Sequence, residues 1–352
     1  MNKNIEYAVS VYVGLSDYPV EKNHEYLKEC AALGIKTVFT SAHIPESSNA
    51  MEDLSKLFEV IEQNNMRLII DVSKPMMDKF TLPDCTYALR LDWGFTDEDI
   101  VELSNTLPCN IELNASTISI EKMMRLLEKG LNPKKTRMSY NFYPKPYTGL
   151  DIYDFIQKNI VFHELGFTTM AFIPSLINKR PPLYKGVPSV EDHRYKPTFI
   201  STQELILTDI DEICIGDAYS SEEEITEMIS CTASCIQIPI VLTIDAPLNI
   251  LNILNGPHHS RPDQSPYLIR SSTRSKTEIL PFNNGKIKKY DVTIDNKLNL
   301  RYMGEVGIWL KDIEENLEAN VIGYVPEYAH TLLHLMPPGT KFSFKIEGLK
   351  DE

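Results

Sequence analysis

Arg67-Leu68-Ile69-Ile70-Asp71 and Tyr87-Ala88-Leu89-Arg90-Leu91-Asp92 are short apolar runs that each close on an acid, and their reading decides the fold. Six more runs of the same kind recur along the first two thirds of the chain: Tyr7–Val13, Lys36–Thr40, Cys109–Leu113, Arg137–Asn141, Thr168–Ile173 and Glu212–Gly216. Between them lie amphipathic stretches of helical length, Val20–Leu33, Glu52–Asn64, Asp97–Asn105, Ile120–Lys129 and Ile152–Leu165, with Gly34, Gly130 and Gly166 as stops. Pro75 to Pro83 leaves the third unit only a short helix at Met76–Phe80, and Ser221 with Glu222-Glu223-Glu224 opens the eighth. Strand, helix, strand, helix is the grammar of a parallel sheet wound by crossovers. Eight such units predict an α/β fold, a TIM (β/α)8 barrel.

The chain has 352 residues, 43% hydrophobic and 24% charged, more than one barrel uses. Residues 1–236 are expected to form the barrel and 237–352 a small, mostly β domain. That second part reads as short strands, Pro239–Ile244, Tyr267–Ser271, Lys286–Ile294, Leu300–Tyr302, Val306–Trp309, Val321–Val325 and Thr340–Ile346, with one helix near Glu327–Leu335. Asn283-Asn284-Gly285 signals a hairpin, and a closed β-barrel is expected.

A net charge of −14 speaks against nucleic acid as a partner, because phosphate backbones require a basic surface. No apolar run is long enough to span a membrane, and the first residues lack the pattern of a secretion signal. A cytoplasmic protein with reduced thiols is expected, its six cysteines lacking CxxC spacing.

In a (β/α)8 barrel the C-terminal ends of the strands build the active site. Those ends carry His43, Glu46, Asp71, Asp92, Glu112, Asn114, Asn141 and Asp217. Asp92 and Glu112 end neighbouring strands, and two carboxyls facing one pocket are the equipment of glycoside hydrolysis. Asp217 is the third catalytic candidate. For each acid the competing role is an inward ion pair with Arg90 or Arg137 that closes the barrel.

Asn141-Phe142-Tyr143-Pro144 offers an amide for sugar hydroxyls and rings for stacking a pyranose. The proline-rich segment Pro174–Pro197 holds Lys179, Arg180, Lys185, His193, Arg194 and Lys196, a basic loop where barrels commonly bind phosphate. Arg261 to Ser265 and Ile269-Arg270-Ser271-Ser272-Thr273-Arg274 offer a second set of anion donors. His43 and Glu46 are metal-ligand types without a partnering pair, and no GxGxxG or P-loop occurs, so neither metal nor cofactor is expected.

Ser10-Val11-Tyr12 with Gly14, His43-Ile44-Pro45-Glu46, Arg90-Leu91-Asp92 with Gly94, Leu113-Asn114-Ala115-Ser116 and Asn141-Phe142-Tyr143-Pro144 with Thr148-Gly149-Leu150 together resemble the 6-phospho-N-acetylmuramidase family. The resemblance runs over essentially the whole chain. It implies a TIM barrel followed by a cyclophilin-like domain. The activity it implies is exo-hydrolysis of N-acetylmuramic acid 6-phosphate from its disaccharide with N-acetylglucosamine, during cell-wall recycling. The resemblance does not assign the acids; from their positions Asp92, Glu112 and Asp217 are the catalytic candidates, and His43, Glu46, Asp71, Asn114, Asn141, Tyr143, Arg180 and Arg274 the expected substrate contacts. The expected partner is that phosphorylated disaccharide, and a homodimer is compatible with the sequence. The rivals are a non-catalytic sugar-phosphate sensor and a lyase or epimerase of a phosphorylated sugar.

Overall fold

Each apolar run becomes a strand because its side chains alternate between the barrel axis and the surrounding helices, and both faces are buried. The computed structural model describes residues 4–15, 17–42, 50–77, 79 and 81–349. Among them β1 (Glu6–Ser10), β2 (Thr37–Ser41), β3 (Arg67–Val72), β4 (Thr86–Leu91), β5 (Asn110–Asn114), β6 (Thr136–Ser139), β7 (Thr168–Ile173) and β8 (Glu212–Ile215) close a barrel in chain order. All neighbours are parallel, and β8 returns to β1 through the pairs Glu6 with Glu212 to Val9 with Ile215. The predicted TIM barrel is borne out.

The outer helices follow the reading closely: α1 (Val20–Ala32), α2 (Ala50–Gln63), α3 (Lys74–Met77), α4 (Asp97–Thr106), α5 (Ile120–Glu128), α6 (Ile152–Glu164), α7 (Thr198–Leu207) and α8 (Glu222–Ser230). Their starts are set by local chemistry. Thr96 and Asp99 form a reciprocal capping box on α4, Ser119 caps α5, and Asp151 accepts from two N–H groups of α6. Each such cap stabilises its helix by about 1 kcal/mol. The third helix starts two residues before its expected Met76, and Asp78 and Phe80 lie outside the described residues.

The chain divides into two units, the second starting at Cys231. The second unit holds β9 (Ile236–Leu242), α9 (Leu248–Leu254), β10 (His258–His259), β11 (Leu268–Arg274), β12 (Gly285–Ile287), β13 (Asp291–Asp295), β14 (Glu305–Trp309), β15 (Ile313–Asn316), β16 (Ala319–Tyr324), α10 (His330–Leu335) and β17 (Lys341–Leu349). Seven strands form one sheet in the order β10-β17-β9-β16-β13-β14-β11. Its two edges meet through an isolated bridge between Ser260 and Ser271 and an Arg261 N–H donating to the Arg270 carbonyl at 3.0 Å, so the sheet curls round on itself.

Two local expectations fail here, the first being the strand expected at Leu300–Tyr302, which is the end of a 3-10 helix, Lys297–Tyr302. The Asn283-Asn284-Gly285 signal makes no hairpin: β12 pairs instead with the distant β15. The Asn283 and Asn284 side chains donate to the carbonyls of Val321 and Leu317, so these amides tie the turn to the main sheet. All six cysteines are unbridged. Among the described residues no helix is long and apolar enough to cross a membrane.

Candidate active site

Inside the barrel one half is apolar and the other charged. Ala8, Phe39, Ile69, Ala88, Met170, Phe172 and Cys214 pack as one buried apolar cluster. Within this cluster the rings of Phe39 and Phe172 meet each other and Phe142 edge to face, with centroids 5.1 to 6.1 Å apart. Tyr12 joins this group and donates its hydroxyl to the Gly216 carbonyl at 2.7 Å. Glycine at 216 allows a close approach to Val187, since a Cβ there would stand 3.0 Å from the Val187 carbonyl oxygen.

On the charged side Arg90 is the hub. Parallel register places it beside Asp71 on β3 and Glu112 on β5. Its guanidinium donates to Asp71 Oδ1 at 2.8 Å, to Ser139 Oγ at 2.8 Å and to Asn141 Oδ1 at 2.6 Å. One side chain therefore reaches across β5 and fixes groups on β3 and β6. Sequence reading treated Arg90 only as a closing partner, yet it sets the position of two expected substrate contacts, Asp71 and Asn141.

Asp92 and Glu112 do not converge on one open pocket. Register explains why: Arg90, not Asp92, lies opposite Glu112, so Asp92 sits one pleat higher. Asp92 is exposed at the rim, its N–H donating to the Val72 carbonyl at 2.9 Å, with Trp93 exposed beside it. Glu112 is 0% exposed and faces Arg137 Nη1 at 3.5 Å. Burial raises its pKa, Arg137 opposes that, and the charge of Glu212 adds to the rise. Arg137 in turn pairs with Glu212, which also meets Arg67, and Arg67 pairs with Glu6. Charges thus alternate in sign along the barrel axis from Glu6 to Asp71.

Asp217 is wholly buried and organises backbone. It accepts N–H groups from Ser175 at 2.9 Å, Arg180 at 2.6 Å and Val187 at 3.3 Å, all in the loop after β7. Burial pushes its carboxyl up to about 6 against the pull of those donors. A carboxyl whose folded pKa exceeds its unfolded one steadies the fold at low pH, and about 3 kcal/mol of that is lost as pH rises through the folded value. The stability advantage over an Asp217→Asn variant is therefore expected to shrink between about pH 4 and about pH 7 in urea denaturation. An advantage that grows over that window contradicts this assignment.

Most of the expected basic loop is spent on itself. Arg194, 1% exposed, is held by Glu191 at 2.6 and 2.7 Å, while His193 and Lys196 share Glu204 at 3.0 and 2.9 Å. Arg180 is different. Its guanidinium lies 4.3 Å from the Tyr12 ring centroid and 5.2 Å from that of Phe142. Its Nε is buried and donates to nothing among the described residues.

Asn114 Oδ1 accepts the Ser116 N–H at 3.0 Å, and Ser116 Oγ accepts the Asn141 N–H at 2.8 Å, linking the ends of β5 and β6. Tyr143 is half-buried and donates its N–H to the Pro188 carbonyl at 3.0 Å. His43 and Glu46 lie outside the described residues. Arg274 belongs to the second unit, where Glu305 holds it at 2.6 Å. Among the described residues no group of three His, Cys, Asp or Glu side chains is placed to hold a metal.

No curated protein sequence matches this chain. Two crystal structures resemble it over nearly its full length. One, of an uncharacterized B. cereus protein, is 25% identical with a TM-score of 0.85, covering 98% of this chain and 100% of that one. The other, a conserved Enterococcus faecalis protein of unknown function, is 27% identical with a TM-score of 0.75, covering 97% and 96%. Residues 7–230 match the N-terminal part of the 6-phospho-N-acetylmuramidase family and residues 236–345 its C-terminal part. With barrel and β unit matched in order, the chain belongs to the 6-phospho-N-acetylmuramidase family.

Proposed function

We propose that this protein is a glycosidase that releases N-acetylmuramic acid 6-phosphate from its disaccharide with N-acetylglucosamine, in the cytoplasm, during recycling of the cell wall. The observation that carries this reading is Arg180: a guanidinium framed by Tyr12 and Phe142, with a buried Nε that has no acceptor among the described residues. A buried donor without a partner costs about 1–3 kcal/mol, so the site is built for an acceptor brought by a ligand. The acceptor is the phosphate, and the loop after β7 is where barrels commonly place one.

Asp92, exposed at the mouth, is the carboxyl positioned to act on the glycosidic bond. Asp71, oriented by Arg90 one pleat below Asp92, is the second carboxyl, and Asn114, Asn141 and Tyr143 contact the sugar. Glu112 and Asp217 support the machinery: the first neutralises the cations beneath Arg90, the second holds the Arg180 loop. Trp93 offers an aromatic face beside Asp92.

Arg180→Gln is expected to raise KM for the phosphorylated disaccharide about 10- to 100-fold with little change in kcat, the equivalent of one charge-assisted hydrogen bond. The unphosphorylated disaccharide, which lacks the anion, is expected to show no such difference between the two proteins. An unchanged KM for the phosphorylated substrate would remove Arg180 from the phosphate site.

A further inference from the structure

The second unit gathers arginines on one tyrosine. Arg270 and Arg274 lie on β11, where an irregular register against β14 brings both onto Glu305. Glu305, 4% exposed, accepts from Arg270 Nε at 2.6 Å and from Arg274 Nε at 2.7 Å. The Tyr302 ring centroid lies 5.9 Å from the Arg270 guanidinium, 4.8 Å from that of Arg274 and 4.9 Å from that of Arg301.

The segment that presents Arg301 and Tyr302 is held in an unusual backbone. Leu300 has φ 51° and ψ −113° and is 80% exposed, a conformation that costs a non-glycine residue about 1–3 kcal/mol. Four residues on, Gly304 has φ 81°, and a Cβ there would stand 2.5 Å from the Ser275 carbonyl oxygen. Leu298 to Tyr302 line a shallow cavity of about 320 Å3.

The charges do not balance. One buried carboxylate serves two guanidinium groups, and Arg301 has no ion pair among the described residues; it donates only to the Tyr302 hydroxyl, at 2.9 Å. Asp295 carries only part of a negative charge near neutral pH, since burial and then the neighbouring Glu305 push its carboxyl up to about 7. Arg270 Nη1 and Arg301 Nε and Nη1 donate to no described residue. In a chain of net charge −14 this is a local excess of oriented planar donors, the geometry that suits oxyanions.

We propose that Arg270, Arg274 and Arg301, gathered on Tyr302, form an anion site in the second unit that binds the phosphate or carboxylate of a small ligand. Glu305 orients two of the arginines, and the strained Leu300 turn brings the third. The proposal is independent of the barrel reading.

The test is a titration of the full chain carrying Arg180→Gln, so that the barrel arginine is absent, with inorganic phosphate and separately with lactate, followed by NMR of the arginine Nε–H groups. Saturable shifts of the Arg270 and Arg274 signals are expected, weakened at least tenfold by Arg301→Gln and abolished by Arg301→Glu. Saturation by phosphate alone marks a phosphate site, and by lactate alone a carboxylate site. No saturable shift with either anion, or shifts that persist unchanged in Arg301→Glu, would overturn the proposal. Arg301 forms no ion pair among the described residues, so both variants are expected to fold, and the Trp309 environment on β14 reports whether they do.

Discussion

An Asp92→Asn variant is expected to lose about 10³-fold in kcat while unfolding within about 0.5 kcal/mol of the parent. The reasoning is positional. Asp92 follows β4 at the rim of the barrel and is exposed there, so the change removes acid–base or nucleophilic capacity without opening a cavity. Glu112→Gln is expected to behave differently. Glu112 is wholly buried beside Arg137, and its amide keeps the shape of the site, so turnover is expected to fall less than tenfold. Steady-state kinetics on a 6-phosphomuramoyl glycoside, with circular dichroism as the folding control, separates the two. An equal loss in both variants, both folded, would return bond cleavage to the pair expected from sequence.

Arg90→Met is expected to be the most damaging single change to stability, at about 3–5 kcal/mol. Arg90 is 5% exposed and satisfies Asp71, Ser139 and Asn141 at once. Removing it leaves the Asp71 carboxylate without its guanidinium and takes away one of the cations that oppose the rise in the Glu112 pKa. A buried charge deprived of its partner costs far more than an intact pair contributes. Urea denaturation measures the loss, and a change under about 1 kcal/mol would show that the alternating charges along the axis are not coupled through Arg90. A neutral partner at Asp71 should restore part of the loss, because the double variant Arg90→Met with Asp71→Asn buries no unpaired carboxylate.

The barrel was legible because each strand is a compact apolar run and each helix carries its own start and stop. Asp92, Asp71 and Asn141 were legible as strand-end residues for the same reason. The depth of a side chain was not. Whether an acid at a strand end reaches the mouth or the axis depends on interstrand register, and Arg90 opposite Glu112 decides it here. Charge counting along residues 174–197 likewise found six cations but could not see that Glu191 and Glu204 consume Arg194, His193 and Lys196. The pairing of inward acids with Arg90 and Arg137 was legible as an alternative, and Asp71 and Glu112 make those contacts. The Asn-Gly hairpin failed because β12 found its partner in β15, far along the chain, which a local turn signal does not encode.

The central claim is that the barrel mouth cleaves a phosphosugar glycoside by adding water. Incubating the protein with the N-acetylmuramic acid 6-phosphate–N-acetylglucosamine disaccharide in ¹⁸O water and reading the products by mass spectrometry tests it most directly. Hydrolysis predicts the two free sugars, with one heavy oxygen on the anomeric carbon of the phosphorylated one. Unchanged disaccharide bound stoichiometrically, or a phosphorylated product lighter by one water, would contradict it.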